Sequence, residues 1–220
     1  EDDPPADAEV AEADPGQPEA EAAELPKHER QTVELGSRDP ESGFFLHVEL
    51  DSRGAVVSSV ELNDKRYKEL RDPEQPLQVV GVPATPFRTL ETSVDVLDDA
   101  LKQHGTSLSE VNWEVVDVEA ATDLPGVNRS AAFRFVSPDG TLEIRKKYWI
   151  EKIPLGEETE RVTRDTKPAG YQVHFELTLK NLGQRAQNIQ YTLEGPVRVP
   201  LENVEHTRKY RDIKVGFLQD

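Results

Sequence analysis

The chain has 220 residues, and its 43 acidic and 26 basic residues give a net charge of −17. That length suffices for one sizeable β domain or two small ones, and an acidic chain without a basic stripe is poorly suited to nucleic acid or anionic lipid. Because it has no cysteine, it can form no disulfide, thiol nucleophile or thiolate metal site.

Residues 1–30 are predicted to be a disordered, acidic linker rich in alanine and proline. They hold eleven acidic and two basic residues and no aromatic residue. Such a segment cannot bury enough apolar surface to offset the about 1–2 kcal/mol of backbone entropy that each ordered residue costs. Residues 31–220 are therefore expected to form the folded domain.

The first residue and the methionine content indicate a piece of a longer protein. The chain contains no methionine and begins at Glu1, which is typical of an excised or processed fragment. No apolar run approaches the roughly 18 residues that span a bilayer. Any membrane anchor is therefore expected outside this sequence.

Residues 32–35 predict a short strand, and residues 44–62 predict a hairpin. Apolar and polar side chains alternate along both strands of the hairpin, and residues 51–54 supply its turn. The residues predicted to face the core are Phe44, Leu46, Val48, Leu50, Val56, Val60 and Leu62. Phe45, His47 and Glu49 are predicted on the polar, solvated face.

Residues 63–76 are charged and predict a surface loop. Residues 77–82 are apolar and predict a short strand, which Pro83 and Pro86 close. Beyond the helix described next, the strand pattern resumes over residues 113–118.

One helix is predicted, over residues 94–104. Its apolar stripe consists of Val94, Leu97 and Leu101, at spacings of three and four. Thr92 or Ser93 is expected to cap its N-terminus, with Asp95 completing a capping box with Thr92. Gly105 fits a left-handed C-cap.

Residues 131–150 predict a second hairpin, with its turn at residues 137–140. One face of the return strand carries Leu142, Ile144, Tyr148 and Ile150. Lys146 falls on that same face, so we expect it to snorkel or to lie at a sheet edge. The Lys146-Lys147 pair is interpreted as a solvated strand face.

A charged stretch, residues 154–168, is predicted as a mobile loop. Residues 171–197 then predict a long antiparallel hairpin, with a turn at residues 181–184. Its apolar positions are Tyr171, Val173, Phe175, Leu177 and Leu179, followed by Ile189, Tyr191 and Leu193. One more strand begins with Ile213, Val215 and Phe217. These elements, roughly eight to eleven strands and one short helix, predict an all-β, mostly antiparallel sandwich.

The residue patterns predict no catalytic, cofactor-binding or metal site. The five histidines, at positions 28, 47, 104, 174 and 206, show no metal-type spacing, and His47 and His174 are predicted on solvated strand faces. Asp98-Asp99 is interpreted as a wet helix face, and Asn128-Arg129-Ser130 as a chance glycosylation sequon.

Trp113, Tyr148 and Trp149 allow two interpretations. They could form an aromatic platform for a sugar or peptide, or they could pack in the core. Core packing is favoured, although Trp149 falls opposite Tyr148 and is expected to be partly exposed.

Several stretches resemble the large periplasmic domain of YidC-type membrane protein insertases. The resembling residues are LEIRKKY at 142–148, GYQV at 170–173, LKNLG at 179–183, the strand at 191–196 and the hairpin at 51–62. An acidic linker rich in alanine and proline also follows the first membrane helix in that family.

The resemblance implies a galactose-mutarotase-like β-supersandwich on the periplasmic side of the bacterial inner membrane. It implies a non-catalytic domain, without cofactor, of a protein that inserts and folds inner-membrane proteins. The implied partners are the membrane domain of the parent insertase, Sec translocon components and nascent membrane proteins. The working residues of that family belong to membrane segments outside this sequence, and the resemblance places final strands beyond Asp220.

Two other classes remain open. A mutarotase-like enzyme or carbohydrate-binding module would need a histidine and a carboxylate that converge in a cleft beside exposed aromatic side chains. An extracytoplasmic adhesion sandwich is the third class.

Overall fold

Ten strands and two short helices form the part of the chain that the computed structural model describes, residues 25, 27–69, 72–81, 88–154 and 160–197. The strands are β1 (Thr32–Gly36), β2 (Leu46–Asp51), β3 (Val56–Leu62), β4 (Gln78–Val80), β5 (Thr92–Val94), β6 (Glu114–Ala120), β7 (Asn128–Val136), β8 (Leu142–Ile150), β9 (Val173–Asn181) and β10 (Tyr191–Leu193). The helices are α1 (Asp95–Lys102) and α2 (Glu160–Thr166), and 3-10 turns cover Pro40–Ser42 and Pro168–Tyr171.

The strands form two four-stranded antiparallel sheets and one two-stranded pair. Sheet 1 has the order β1-β2-β3-β4, sheet 2 has the order β6-β7-β8-β9, and β5 pairs with β10. One core joins both large sheets, and it includes Leu35, Val48, Leu50, Phe133, Ile144 and Tyr148. The predicted all-β, mostly antiparallel, sandwich-like fold is confirmed. The supersandwich form stays a prediction.

A β-bulge in sheet 1 changes which side chains of β3 face the core. Glu49 pairs with Ser59 and Leu50 pairs with Val57, which leaves one extra residue on β3. Such an insertion shifts the alternation of side chains. Val57 therefore joins Val60 in the core cluster. Val56 is fully buried as well, although it lies outside that cluster, so the predicted burial of Val56 and Val60 is confirmed.

The predicted loop at residues 154–168 contains α2 in its described part, and this helix covers Phe45, which was predicted on a solvated strand face. The Arg164 guanidinium lies 4.4 Å from the ring centre of Phe45. The Tyr171 ring packs on the same residue at 5.0 Å. Phe45, the residue that precedes β2, is consequently buried.

The long hairpin predicted over residues 171–197 does not form. β9 pairs with β8 along its whole length, from Val173 opposite Ile150 to Asn181 opposite Leu142. β10 pairs instead with β5. The alternation along β9 is confirmed, since Val173, Phe175, Leu177 and Leu179 all pack against the core.

The predicted helix is confirmed as α1, but its N-terminus is held differently from the prediction. Its apolar stripe is buried, and Gly105 has the expected positive φ of 71°. Val94 occupies the N-cap position and makes no side-chain cap. The Asp98 carboxylate accepts hydrogen bonds from the backbone N–H of Val94 (2.9 Å) and of Leu108 (2.7 Å). The predicted capping box with Asp95 was therefore wrong, because Thr92 belongs to β5.

The described end of the predicted linker contacts the domain. Asn112 donates a hydrogen bond to the His28 carbonyl at 3.0 Å, and Arg30 forms an ion pair with Asp51. Leu25 packs against the core. The rest of the linker, Pro83, Pro86, His206 and the strand predicted from Ile213 lie outside the described residues. No helix among the described residues is long and apolar enough to cross a membrane.

Candidate functional site

The outer face of sheet 2 carries an open groove of about 590 Å³. It is lined by Glu119, Arg129, Ser130, Lys147, Trp149, Ile150, Glu151, Lys152 and Glu176, a set we call the Trp149 groove. The period of two along β8 explains the position of Trp149, because its neighbours Tyr148 and Ile150 point into the core. The expected partial exposure of Trp149 is confirmed, and so is core packing for Trp113 and Tyr148.

Trp149 is held in place by a ring on the adjacent strand. His174 lies directly opposite it on β9, and the two rings are nearly parallel, 5.0 Å apart with an interplanar angle of 7°. The His174 Nε2 atom lies 3.6 Å from a Glu151 carboxylate oxygen. The structure therefore brings a histidine, a carboxylate and a partly exposed indole together on one face. His174 lies on the outer strand face, as predicted, and 28 % of its side chain is accessible.

The acidic and basic side chains that line the groove are equal in number. Three carboxylates and three cationic side chains line it: Glu119, Glu151, Glu176, Arg129, Lys147 and Lys152. Arg129 pairs with Glu119 at 3.1 Å. A hydrogen bond from the Ser130 side chain, together with the charge of Arg129, lowers the pKa of Glu119. Glu119 is therefore an ionised hydrogen-bond acceptor at neutral pH.

His47 forms a second cluster, under a cavity of about 240 Å³ at the edge of sheet 1. Only 4 % of its side chain is exposed, and its two ring nitrogens lie 3.4 Å from Glu34 and 3.5 Å from Glu61. The prediction of a solvated His47 was wrong, because the carboxylates of neighbouring strands cover it. The described residues contain no group of three or more side chains arranged to hold a metal ion.

Lys146 is fully buried in the middle of sheet 2. Its ammonium group donates to the carbonyl oxygens of Gly54 (2.9 Å), Ala55 (3.1 Å) and Leu90 (2.8 Å), and it lies 5.0 Å from the ring centre of Trp113. The prediction that it snorkels or lies at a sheet edge was wrong, because β8 is an interior strand whose inner face meets these carbonyls. Without exposed surface, Lys146 cannot reach a substrate, so its role is structural.

Burial makes the folding stability depend on pH through Lys146. Desolvation, with a smaller effect of Arg88, lowers its pKa from 10.5 to about 7. Between these values the unfolded chain holds a proton that the folded chain lacks, so the free energy of unfolding rises with pH. The slope is at most about 1.4 kcal/mol per pH unit.

We expect the difference in the free energy of unfolding between the native sequence and the Lys146→Met variant to rise with pH between about pH 7 and about pH 9. Urea unfolding at a series of pH values measures this difference. The range stops there because tyrosines in the unfolded chain ionise near pH 10, whereas burial raises the pKa of Tyr148 in the fold. A flat difference would mean that the three carbonyls keep the amine charged throughout.

The sequence predicted no site, and the residues of the Trp149 groove come from four separate segments of the chain. The sequence predicted only the partial exposure of Trp149, because this residue alternates with the inward-facing Tyr148 along the strand. Chemically, an indole among paired acids and bases is suited to bind a polar ligand by stacking and hydrogen bonding. Comparisons of the chain with models of known protein families, with curated proteins and with solved structures find no match.

Proposed function

We propose that the chain is a non-catalytic periplasmic domain of a YidC-type membrane protein insertase, where it acts as a scaffold or docking surface. Its location is then the periplasmic side of the bacterial inner membrane. Its partners are the membrane domain of the parent insertase, Sec translocon components and nascent membrane proteins. The proposal rests on the resemblance of residues 142–148, 170–173 and 179–183, together with the all-β fold.

The observation that carries the proposal is the structural role of the resembling residues. Gly170 and Tyr171 form the 3-10 turn that leads into β9. A Cβ at Gly170 would lie 2.3 Å from the Phe45 ring, so only glycine fits there. The Tyr171 hydroxyl donates to Asp64 at 2.8 Å and ties this turn to the loop after β3.

The other two resembling stretches also build sheet 2. Residues 142–148 lie in β8, which pairs with both β7 and β9. In the turn after β9, the Asn181 side chain accepts a hydrogen bond from the backbone of Gly183 at 2.9 Å. Residues with such structural roles support a resemblance in fold to the insertase domain. A scaffold role requires a fold of this kind and no catalytic residues.

Deleting residues 31–220 from the parent protein is expected to leave most insertion activity intact, because a scaffold contributes no reacting group. The measurement is protease protection of a newly made membrane protein in cells whose own insertase is depleted. Deletion of residues 1–30 alone is the matched control. Loss of insertion while the membrane part remains folded and abundant would contradict a non-catalytic role, and a parent without apolar spans on both sides of this segment would contradict the family.

A further inference from the structure

We propose that the Trp149 groove binds an uncharged saccharide. This inference does not depend on the insertase proposal, because it rests only on the groove. Of the two sugar-related alternatives that the sequence left open, it favours a carbohydrate-binding module over a mutarotase-like enzyme.

Trp149 gives the groove an aromatic platform. His174 stacks on the indole but is absent from the groove lining, whereas Trp149 lines it. His174 therefore covers one face of the indole, and the ring lines the groove with its remaining surface. A rigid indole offers a large contact area with little loss of conformational freedom. The C–H face of a pyranose ring is apolar and flat enough to stack on it.

The rim of the groove carries both hydrogen-bond donors and acceptors. Cationic side chains offer only hydrogen-bond donors, and ionised carboxylates offer only acceptors. The groove presents both donors and acceptors around Trp149. The Arg129–Glu119 pair lies on the β7 side of Trp149, and Glu176 lies on the β9 side. A sugar hydroxyl both donates and accepts, so it can bond to either kind.

The charges of the lining residues disfavour an anionic ligand. Three acids and three bases line the groove, and Lys152 also pairs with Asp123 outside the lining, so the groove offers no excess of positive charge to attract an anion. A phosphorylated or carboxylated ligand would have to compete with the carboxylates of the rim. The same argument disfavours a nucleotide, although its base could stack on Trp149. An uncharged ring with many hydroxyl groups satisfies the rim without leaving a charge unpaired.

The size of the groove suits a small sugar. The groove volume of about 590 Å³ lies within the range of roughly 300–1,000 Å³ for small-molecule sites. The groove is open on one side, so it can accept the end of a longer glycan. Openness also leaves much of the ligand in water, and the affinity is therefore expected to be modest.

Tryptophan fluorescence tests the inference on the full chain. The chain has two tryptophans, and Trp113 is only 1 % exposed, so a sugar-dependent change in emission reports on Trp149. The probes are galactose, glucose, N-acetylglucosamine and chitotriose. Their charged counterparts, galacturonate and glucosamine, serve as the comparison. We expect saturable changes with at least one neutral sugar and weaker binding of its charged counterpart.

Variants tested by calorimetry assign the binding to the groove. Trp149→Ala is expected to weaken the affinity for the sugar that binds by about tenfold or more, which corresponds to about 1.4 kcal/mol. Trp149→Phe keeps a ring and is expected to retain part of the affinity, and it tests the inference if the alanine variant is unstable. Lys180→Ala is the matched control, because Lys180 is exposed on the same strand as His174 but outside the groove.

Three results would overturn the inference. The first is that none of the neutral sugars changes the emission at millimolar concentration. The second is that binding survives in Trp149→Ala. The third is that a charged sugar, a nucleoside monophosphate or a peptide binds more tightly than every neutral sugar. Each of these leaves the insertase proposal unaffected, since that proposal is tested in the parent protein.

Discussion

Lys146→Ala is expected to lower the free energy of unfolding by about 3 kcal/mol. The substitution removes a donor from three carbonyl oxygens, at Gly54, Ala55 and Leu90. Ala55 keeps the Tyr148 hydroxyl as a donor at 2.6 Å, and Leu90 keeps the Thr92 hydroxyl at 3.4 Å, so the Gly54 oxygen is the acceptor that loses most. A buried acceptor without a partner costs about 1–3 kcal/mol, and the lost side chain leaves a cavity. Removing the buried charge also removes the cost of its desolvation, which offsets part of this loss. The expected destabilisation is therefore smaller than the summed cost of three unpaired carbonyl oxygens.

Urea unfolding followed by circular dichroism measures this effect, and Lys147→Ala is the matched control. Lys147 is the next residue of β8 but lies on the half-exposed outer face. Its removal is expected to change stability by no more than about 0.5 kcal/mol. Equal effects at the two positions would show that the carbonyls around Lys146 find water when the ammonium is absent.

The contrast between Lys146 and Lys147 also shows what local sequence can predict. The alternation of β8 predicted both the strand and the inward phase of Lys146. The expectation that the lysine avoids burial came from its residue type. Its true position depends on carbonyls more than fifty residues away in the chain, which no local pattern contains.

Strand partners were the least predictable part of the fold. The alternation along residues 173–179 predicted β9, but proximity in sequence suggested the wrong neighbour for β10. In the structure β10 pairs with β5 over three residues, Tyr191 with Val94 to Leu193 with Thr92. Alternation states which side of a strand is apolar, whereas pairing is decided by packing of the whole sandwich.

The burial of side chains on the predicted polar strand faces could not be predicted either, because segments distant in the sequence cover them. Phe45 and His47 occupy positions whose alternation predicted solvent. Phe45 is covered by a segment whose charge predicted a loop, and His47 by carboxylates on flanking strands. The Trp149 groove could not be predicted either, because its lining comes from β6, β7, β8 and β9.

Gly170→Ala is expected to lower the free energy of unfolding by about 1–3 kcal/mol through overpacking. The new Cβ would lie 2.3 Å from the Phe45 ring. That ring has no exposed surface and is held between Tyr171 and Arg164, so it cannot move aside without displacing them. The strain has a purely steric origin, because Gly170 is not among the residues with a positive φ.

Gly195→Ala is the control for the loss of a glycine as such. No atom lies within 4 Å of its Cβ position, and its φ is not positive, so the change is expected to stay within about 0.5 kcal/mol. Phe45→Leu should partly relieve the clash, which makes the double variant with Gly170→Ala more stable than the sum of the single effects predicts. Additive effects would show that the turn shifts instead. In that case the Tyr171–Asp64 hydrogen bond would break, and β9 would lose the tie that positions its first residues, including the His174 ring behind Trp149.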